Sequence, residues 1–378
     1  MKKRIAAAFA AALVLSMAAC GGQETGAGTA VETAGVQETE AQETEAQEPE
    51  AQEPEAEEET AAEEESGENT AGGPGQGGGP GFGGGNHGGP GGGGGFNDKS
   101  SDTELQAMIE EVAPEFELKT FEDEETGESL QYQLYVPEDY DAQGSYPLLQ
   151  FIPDSSVVGK GTDAVLTQGW GGLIFASEKE QEKHPSFIVI PVFTETVVND
   201  NAEHSGQIDI AVRLIEHLAE EYPIDTDRIY TTGQSMGGMT SFYMNIAYPD
   251  LFAASLFVGS QWDNSQLGIL EDRDFFYIVS AGDPRASEGQ AGLLEVFEAD
   301  GAPYSHAEWS ARDDAAAQDA AVAAMLEEGN RANFVTFTEG STLPEGTETN
   351  SMMGEHMSSF DYAYKIEAVR DWLYEQKK

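Results

Sequence analysis

Residues 228–238 read Arg-Ile-Tyr-Thr-Thr-Gly-Gln-Ser-Met-Gly-Gly, and the fold prediction starts from this segment. The β-branched and aromatic residues 229–232 favour a buried strand, and residues 239–248 have helical apolar spacing that stops at Pro249. Gly233 and Gly237 flank Ser235 in a G-x-S-x-G pattern. A serine on a tight turn between a strand and a helix has backbone segments packed closely around it. The residues two before and two after it must therefore be small. We therefore predict that Ser235 lies on a tight strand-to-helix turn and is a candidate nucleophile.

The first twenty residues have the organisation of an export signal. Residues 2–4 are basic, residues 5–17 are mostly apolar, and residues 17–20 read Met-Ala-Ala-Cys. This resembles a bacterial lipoprotein signal, which implies that residues 1–19 are removed and that Cys20 is lipidated. An ordinary signal peptide or a membrane span is the alternative, but the apolar stretch is short for a span. We expect an extracytoplasmic protein anchored by lipid to the bacterial cell membrane.

Residues 20–98 form a predicted disordered tether. A Gln-Glu-Thr/Pro-Glu-Ala pentapeptide repeats between residues 37 and 56, and residues 72–96 are mostly glycine. Because like charges repel and large apolar side chains are almost absent, this segment cannot bury a core. We expect it to separate a folded domain, residues 99–378, from the membrane.

The predicted domain is strongly acidic. Residues 99–378 contain 15 Lys and Arg against 52 Asp and Glu, a formal charge of about −37. Such a surface repels anionic polymers, so nucleic acid is excluded as a partner. Cys20 is the single cysteine of the chain, so the domain has no internal disulfide.

The hydrophobic pattern of the domain predicts an α/β fold. Residues 117–136 favour two antiparallel strands, and five later segments favour buried strands. Helices are predicted between and after them, the last at residues 362–376. The strand segments are residues 146–153, 187–193, 253–259, 275–281 and 333–337. Strands that alternate with helices indicate a mostly parallel sheet with helices on both faces.

A serine nucleophile needs a base within hydrogen-bond reach and an acid that orients the base. In α/β folds with this elbow the chain order is serine, then acid, then histidine. His306 and His356 are the histidines that follow Ser235. His306 falls in an alternating segment predicted as a strand, and His356 in a segment predicted as a loop before the last helix. We favour His356, because such a loop can reach over the edge of the sheet.

The predicted acid is Asp283. It follows the apolar run 275–281 and a glycine, so it stands at the carboxyl end of a predicted central strand. Asp263 and Asp274 are the alternatives, although Asp274 precedes that strand and so lies at its other end. Arg285 could instead pair with Asp283 in an ordinary ion pair.

At these residues the chain resembles the esterase and polyhydroxybutyrate-depolymerase-like branch of the α/β hydrolases, which includes proteins labelled predicted peptidases. The similarity covers residues 132–376. It is carried by these motifs: residues 227–230, 233–238, 248–250 with 252–254, 280–283, and His356 followed by residues 372–373. The resemblance implies Ser235 as nucleophile, Asp283 as acid and His356 as base. It leaves the substrate open.

The chain departs from that branch after the first central strand. The branch has His-Gly where this chain has Pro153 and Asp154. We expect the backbone N–H groups of Met236 and Ser155 to bind the oxyanion of an acyl-transfer intermediate. A charge on Asp154 would oppose that oxyanion unless its side chain points away.

Two side chains are predicted to contact substrate, and both lie close to these segments. Gln234 precedes the nucleophile, and Trp170 offers an apolar or sugar-stacking face, with core packing as its alternative. No metal or cofactor motif is recognised. The sequence therefore predicts a serine hydrolase that cleaves small-molecule or polymer carboxylic esters through an acyl-enzyme. A serine peptidase of the same fold and a non-catalytic surface binding protein are the alternatives.

Overall fold

The computed structural model describes residues 99–344 and 352–378, with the side chains of residues 352 and 353 left out. The predicted signal peptide, the lipidation of Cys20 and the predicted tether lie outside the described residues. The domain boundaries inferred from composition stay predictions.

The described residues form one mixed sheet of nine strands with the order β1-β2-β4-β3-β5-β6-β7-β9-β8. β1 and β2 pair antiparallel, as do β2 and β4, and all remaining pairs are parallel. The strands are β1 Phe116–Glu122, β2 Ser129–Tyr135, β3 Tyr146–Ile152, β4 Phe187–Val192, β5 Ile224–Gln234, β6 Ala254–Val258, β7 Phe275–Ser280, β8 Tyr304–Trp309 and β9 Ala332–Phe337. The mostly parallel α/β sheet with antiparallel strands at one edge is confirmed.

Ten α-helices and three short 3₁₀ helices are present in the described part of the chain. The α-helices are α1 Thr103–Val112, α2 Ala164–Thr167, α3 Trp170–Ile174, α4 Glu178–Lys183, α5 Gln207–Glu221, α6 Met236–Ala247, α7 Pro284–Asp300, α8 Ala315–Glu327, α9 Met352–Lys365 and α10 Glu367–Glu375. The 3₁₀ helices are Ala113–Glu115, Ser155–Val157 and Asn264–Asp272. Within residues 99–344 and 352–378, no helix is both long and apolar enough to cross a membrane.

Helices cover both faces of the sheet. Alternate residues of β7 show the two layers, since Phe276 and Ile278 join one buried cluster and Phe275, Tyr277 and Val279 join the other. The first cluster receives apolar side chains of α1, α3, α8, α9 and α10, and the second receives those of α5, α6 and α7. With both faces buried, the carboxyl edge of the sheet is where polar chemistry can reach solvent.

The strand order reverses direction between β3 and β5. From β3 the chain moves outward to β4, and it then returns to place β5 on the other side of β3. In open α/β sheets a crevice forms outside the carboxyl ends of the strands at such a point. The segments that follow β3 and β5 begin with Pro153 and Ser235, so both predicted oxyanion segments lie at this crevice.

One predicted helix is wrong in its boundaries. The segment 362–376 was expected as a single final helix, but the chain forms α9 and α10 with Ile366 as the N-cap of α10. The first of these begins ten residues earlier than expected, so residues predicted as a loop are helical.

Candidate active site

The turn between β5 and α6 places Ser235 between strand and helix, as expected. Ser235 has φ 52°, a left-handed value that is rare outside glycine. A Cβ atom at Gly233 would lie 2.3 Å from the carbonyl carbon of Gly237, and one at Gly237 would lie 1.9 Å from the carbonyl oxygen of Ile152. The two glycines are therefore required by the close passage of β5, α6 and the end of β3.

His356 is within hydrogen-bond distance of both other residues predicted for the triad. Its Nε2 atom lies 2.9 Å from Ser235 Oγ, and its Nδ1 atom lies 2.5 Å from Asp283 Oδ2. Phe360, one turn further along α9, packs edge-on against the imidazole with a centroid separation of 4.9 Å. The three side chains thus form a continuous hydrogen-bonded chain at the carboxyl edge of the sheet.

Asp283 stands just after β7, as the sequence predicts. Its side chain is 4% exposed and caps α7, accepting a hydrogen bond from the Ala286 N–H at 3.4 Å. A buried carboxylate that caps a helix N-terminus has a fixed direction. Arg285, the competing partner considered from the sequence, is ion-paired with Asp200.

His356 does not lie in a loop, and this prediction is corrected. It is the fifth residue of α9, Met352–Lys365. Local sequence gives no clear helix start here, because the contacts that hold the first turn of α9 come from residues distant along the chain. Those contacts are made by the neighbouring Glu355, which is described below.

The rival residues have partners other than Ser235 and His356. His306 is on β8, four strand positions from β5 or on the order of 19 Å. Its ring is within 3.1 Å of Thr336 Oγ1, and burial lowers its pKa. Asp263 accepts hydrogen bonds from Ser265 and Gln266, which lower its pKa, and Asp274 is ion-paired with Arg331.

The predicted oxyanion donors lie on neighbouring backbone segments. Met236 is the first residue of α6, and Ser155 begins the 3₁₀ helix that follows β3. The close approach of Gly237 to the carbonyl groups of Ile152 and Pro153 brings these segments into contact. An N–H at the start of a helix has no partner within the helix and can bind an anion.

Asp154 occupies the position where the hydrolase branch that this chain resembles has glycine. Its carboxylate is buried and hydrogen-bonded. Oδ1 accepts the Ser156 N–H at 2.7 Å, and Oδ2 accepts the side-chain amides of Gln168 at 2.6 Å and Gln234 at 2.9 Å. The side chain is 3% exposed. These three donors compensate the charge that would otherwise oppose an oxyanion.

Both side chains predicted to contact substrate are buried, and for Trp170 the structure agrees with the alternative of core packing. Gln234 is 1% exposed and directs its amide at Asp154. Trp170 lies in the core layer beneath α9: its indole N–H donates to Asp102 at 3.2 Å, and the Lys365 ammonium lies 4.0 Å above its ring. Their residue types and their positions near the predicted site suggest substrate contact. Residues far along the chain bury both side chains instead.

A cleft of about 220 Å³ opens beside the nucleophile elbow. Met239, one helical turn after Ser235, is part of its wall, and the Met239 N–H donates to the Ser235 carbonyl oxygen at 2.9 Å. The lining residues are Asn199, Asp200, Asn201, Ala202, Met239, Gln261, Trp262 and Asp263. Among these residues only Asp263 was named from the sequence, as an alternative acid, because the cleft is assembled from two separate loops and one helix.

No group of three or more His, Cys, Asp or Glu side chains is placed to hold a metal ion within residues 99–344 and 352–378. The Ser235–His356–Asp283 chain of hydrogen bonds lies beside the two backbone segments that carry Met236 and Ser155.

Comparison with known proteins agrees with the fold. The model of the Esterase family matches residues 175–365, just over half of the chain. Among solved structures, a thermostable esterase is 23% identical with a TM-score of 0.56, over 71% of this chain and 64% of that chain. The present chain thus spans about two thirds of that esterase's length. No curated protein matches it.

Two further solved structures are more distant. The feruloyl esterase module of Clostridium thermocellum, a mutant in complex with sinapinate, is 11% identical with a TM-score of 0.43, over 67% of this chain and 88% of that one. A ferulic acid esterase of Anaeromyces mucronatus in complex with ferulic acid is 12% identical with a TM-score of 0.40, over 68% and 91%.

Proposed function

The chain belongs to the Esterase family of α/β hydrolases, and from that premise we propose that it is a serine esterase that cleaves carboxylic esters through an acyl-enzyme. The observation that carries the proposal is the pair of His356 contacts, 2.9 Å to Ser235 Oγ and 2.5 Å to Asp283 Oδ2. A serine hydroxyl alone is a weak nucleophile, and an imidazole held in one tautomer by a carboxylate activates it.

In the acylation step, Ser235 Oγ attacks the ester carbonyl carbon while its proton moves to His356 Nε2. The bond between the carbonyl carbon and the alcohol oxygen then breaks, and Nε2 returns the proton to the leaving alcohol. Asp283 accepts a hydrogen bond from Nδ1–H throughout and stabilises the imidazolium. Water, deprotonated by the same nitrogen, attacks the acyl-enzyme, releases the carboxylic acid and restores the serine.

The developing oxyanion is assigned to the backbone N–H groups of Met236 and Ser155. Each such donor contributes about 10²–10³-fold to kcat in serine hydrolases. Asp154 lies in the same loop as Ser155, but three hydrogen-bond donors compensate its charge. The carboxylate therefore does not oppose an oxyanion bound by Met236 and Ser155. We assign the cleft walled by Met239 to part of the substrate, because it is adjacent to the elbow and its amide and carboxylate groups can bind polar substituents.

The chain is further proposed to act outside the cytoplasm, held to the cell membrane by a lipid on Cys20. This rests on the sequence pattern at residues 2–20 and on the charged and glycine-rich composition that follows it.

The triad proposal is tested with the variants Ser235→Ala, His356→Ala and Asp283→Asn. We expect kcat/KM for p-nitrophenyl esters to fall by about 10⁴–10⁶ for the first two and on the order of 10⁴ for the third, since the three act as one unit. A fluorophosphonate probe should label the wild type at Ser235 and leave Ser235→Ala unlabelled.

The matched control is His306→Ala, which removes the rival histidine and should leave turnover within about twofold of wild type. If His306→Ala abolished turnover while His356→Ala kept it, the base would be misassigned. If Ser235→Ala kept full activity, the serine mechanism itself would be wrong. Parallel assays with feruloyl esters, acetylated sugars and short peptides would then separate an esterase from a peptidase.

A further inference from the structure

Glu355, the residue before the proposed base, is a buried carboxylate with several fixed partners. Its side chain is fully buried, with 0% exposure. Oε1 accepts the Gly340 N–H at 2.6 Å, and Oε2 accepts the hydroxyls of Ser280 at 2.7 Å and Thr342 at 2.8 Å. Three donors therefore converge on this carboxylate, and both of its oxygens have fixed partners.

The partners of Glu355 lie on the strands next to the acid of the triad. Ser280 is the last residue of β7 and precedes Asp283 by three positions, and Gly340 and Thr342 follow β9. A Cβ atom at Gly282 would lie 2.3 Å from the carboxyl carbon of Glu355, so this carboxylate packs directly on the backbone before Asp283. Glu355 thereby joins the helix that carries the base to the strand end that carries the acid.

We propose that Glu355 is a positioning residue for the esterase reaction, one that sets the geometry between His356 and Asp283 without touching substrate. This inference rests on the proposed function. The hydrogen bonds of Glu355 fix the rotation of the first turns of α9, and that rotation directs the imidazole of the next residue. Phe360 packs edge-on against the imidazole itself, whereas Glu355 holds the helical turn that carries it.

The physical consequence is a loss of rate rather than of substrate affinity. A displacement of the imidazole by about 1 Å costs on the order of 10²-fold in rate, since a near-attack geometry is lost. Substrate binding depends on the cleft and the oxyanion segments, which Glu355 does not contact in the hydrogen bonds described above. We therefore expect kcat to carry the effect and KM to stay nearly constant.

The test uses Glu355→Gln in the full chain, with p-nitrophenyl acetate as substrate. The amide keeps the size of the side chain, and the two hydroxyl partners can rotate to accept from it, so folding is retained. We expect kcat to fall by about ten- to a hundredfold with KM within about threefold. The low-field proton resonance of the His356–Asp283 hydrogen bond should shift or broaden in the same variant.

A double-mutant cycle separates positioning from general stability. In the Asp283→Asn background, Glu355→Gln should add less than about threefold to the loss, because the geometry that it maintains is already broken. Additive losses in the two backgrounds would overturn the inference. Thr342→Val, which removes one of the three donors at a nearly equal volume, should give a smaller fall in kcat of the same kind.

Glu180→Gln is the matched control, because Glu180 is an equally buried carboxylate (1% exposed) on α4 that pairs with Arg370 on α10. It should lower the melting temperature and leave kcat unchanged at temperatures where the protein is folded. If Glu355→Gln behaved in this way, with wild-type kcat and proton resonance, Glu355 would be a purely structural residue. That outcome leaves the proposed function intact, whereas retained activity in Ser235→Ala would contradict the function itself.

Discussion

Ser235 combines φ 52° with ψ −118°, a backbone conformation that costs a non-glycine residue on the order of 1–3 kcal/mol. Hydrogen bonds on both sides hold it there: the Ser235 N–H donates to the Val258 carbonyl at 3.0 Å, and its own carbonyl accepts the Met239 N–H at 2.9 Å. The turn is thus maintained by β6 on one side and α6 on the other. This places the hydroxyl toward His356 instead of along the strand.

The residue with the least room near this turn is Gly237. We expect Gly237→Ala to lower stability by about 3 kcal/mol or more and kcat/KM by at least tenfold, because its methyl group would meet the Ile152 carbonyl oxygen at 1.9 Å. The loop after β3, which contains the proposed donor Ser155, must move to relieve the contact. Thermal denaturation followed by ester assays at a temperature below the transition measures both effects.

Gly268→Ala is the control, since its nearest contact is a Glu271 side-chain oxygen at 4.0 Å on an exposed surface. It should change stability by less than about 0.5 kcal/mol and leave kcat/KM unchanged. Wild-type activity and stability in Gly237→Ala would show that the close passage of β3 and α6 is not required.

At the level of secondary-structure elements, α4 and α10 are joined by one buried ion pair and several ion pairs near the surface. The side chains of Glu180 and Arg370 are 1% and 4% exposed, and Glu180 Oε1 lies 2.7 Å from Arg370 Nη2. Lys179 and Lys183 contact Glu367 near the surface, the second at 2.7 Å. The same helix pair therefore offers both kinds of interaction for comparison.

We expect Glu180→Ala to destabilise the protein by about 3–5 kcal/mol, because it leaves the Arg370 charge buried without its partner. Glu367→Ala should cost about 0–1 kcal/mol, since solvent screens the exposed pairs. Urea denaturation of the two variants beside wild type measures the difference. Equal losses would mean that burial does not set the strength of the α4–α10 contact.

The Glu367 pair also has a defined pH dependence. Hydrogen bonds from Lys179 and Lys183 lower the pKa of Glu367 from 4.5 to about 2. A carboxylate whose folded pKa is depressed stabilises the fold above the unfolded pKa, and that contribution is lost as pH falls from about 4.5 to about 2. The stability difference between wild type and Glu367→Ala should therefore be present at pH 7 and disappear near pH 2, if the fold persists there.

At the scale of the whole molecule, the chain divides by composition. The segment 20–98 carries one aromatic-poor acidic half and one glycine-rich half, and residues 99–378 supply every residue proposed for catalysis. Lys99 is already part of the fold, because its ammonium group pairs with Asp361 at 2.6 Å. Membrane attachment and catalysis should therefore be separable.

We expect Cys20→Ala to move the protein from the membrane fraction to the soluble fraction while kcat/KM stays within about twofold, since the lipid anchor contributes nothing to the core. Fractionation of cells followed by ester assays of each fraction measures both. A chain that begins at Lys99 is the control and should have the same kcat/KM. Persistence of Cys20→Ala in the membrane fraction would contradict the lipidation of this residue.

Much of the architecture is determined by short-range sequence pattern. Alternating and helical spacing over 4–15 residues predicts the strands and most helices, and the glycines around Ser235 predict the elbow. The chain order of serine, acid and histidine narrows the base to His306 or His356, and the position after a predicted strand favours Asp283. The structure brings Ser235, Asp283 and His356 into hydrogen-bond contact. Their catalytic roles remain proposals.

Only the tertiary structure decided where several side chains point. The partners of Glu355 are 13, 15 and 75 residues away, and the Trp170 indole N–H donates to Asp102 at a separation of 68 residues. Such contacts leave no periodic signal in a local window. The sequence therefore predicted a loop at His356 and substrate contact by Gln234, and it left Trp170 open between substrate contact and core packing. The local sequence pattern determines which helices and strands form, because the spacing of apolar residues marks the face of each element that is buried. The packing of distant segments determines which polar groups remain free for chemistry, because each buried group must find its partner there.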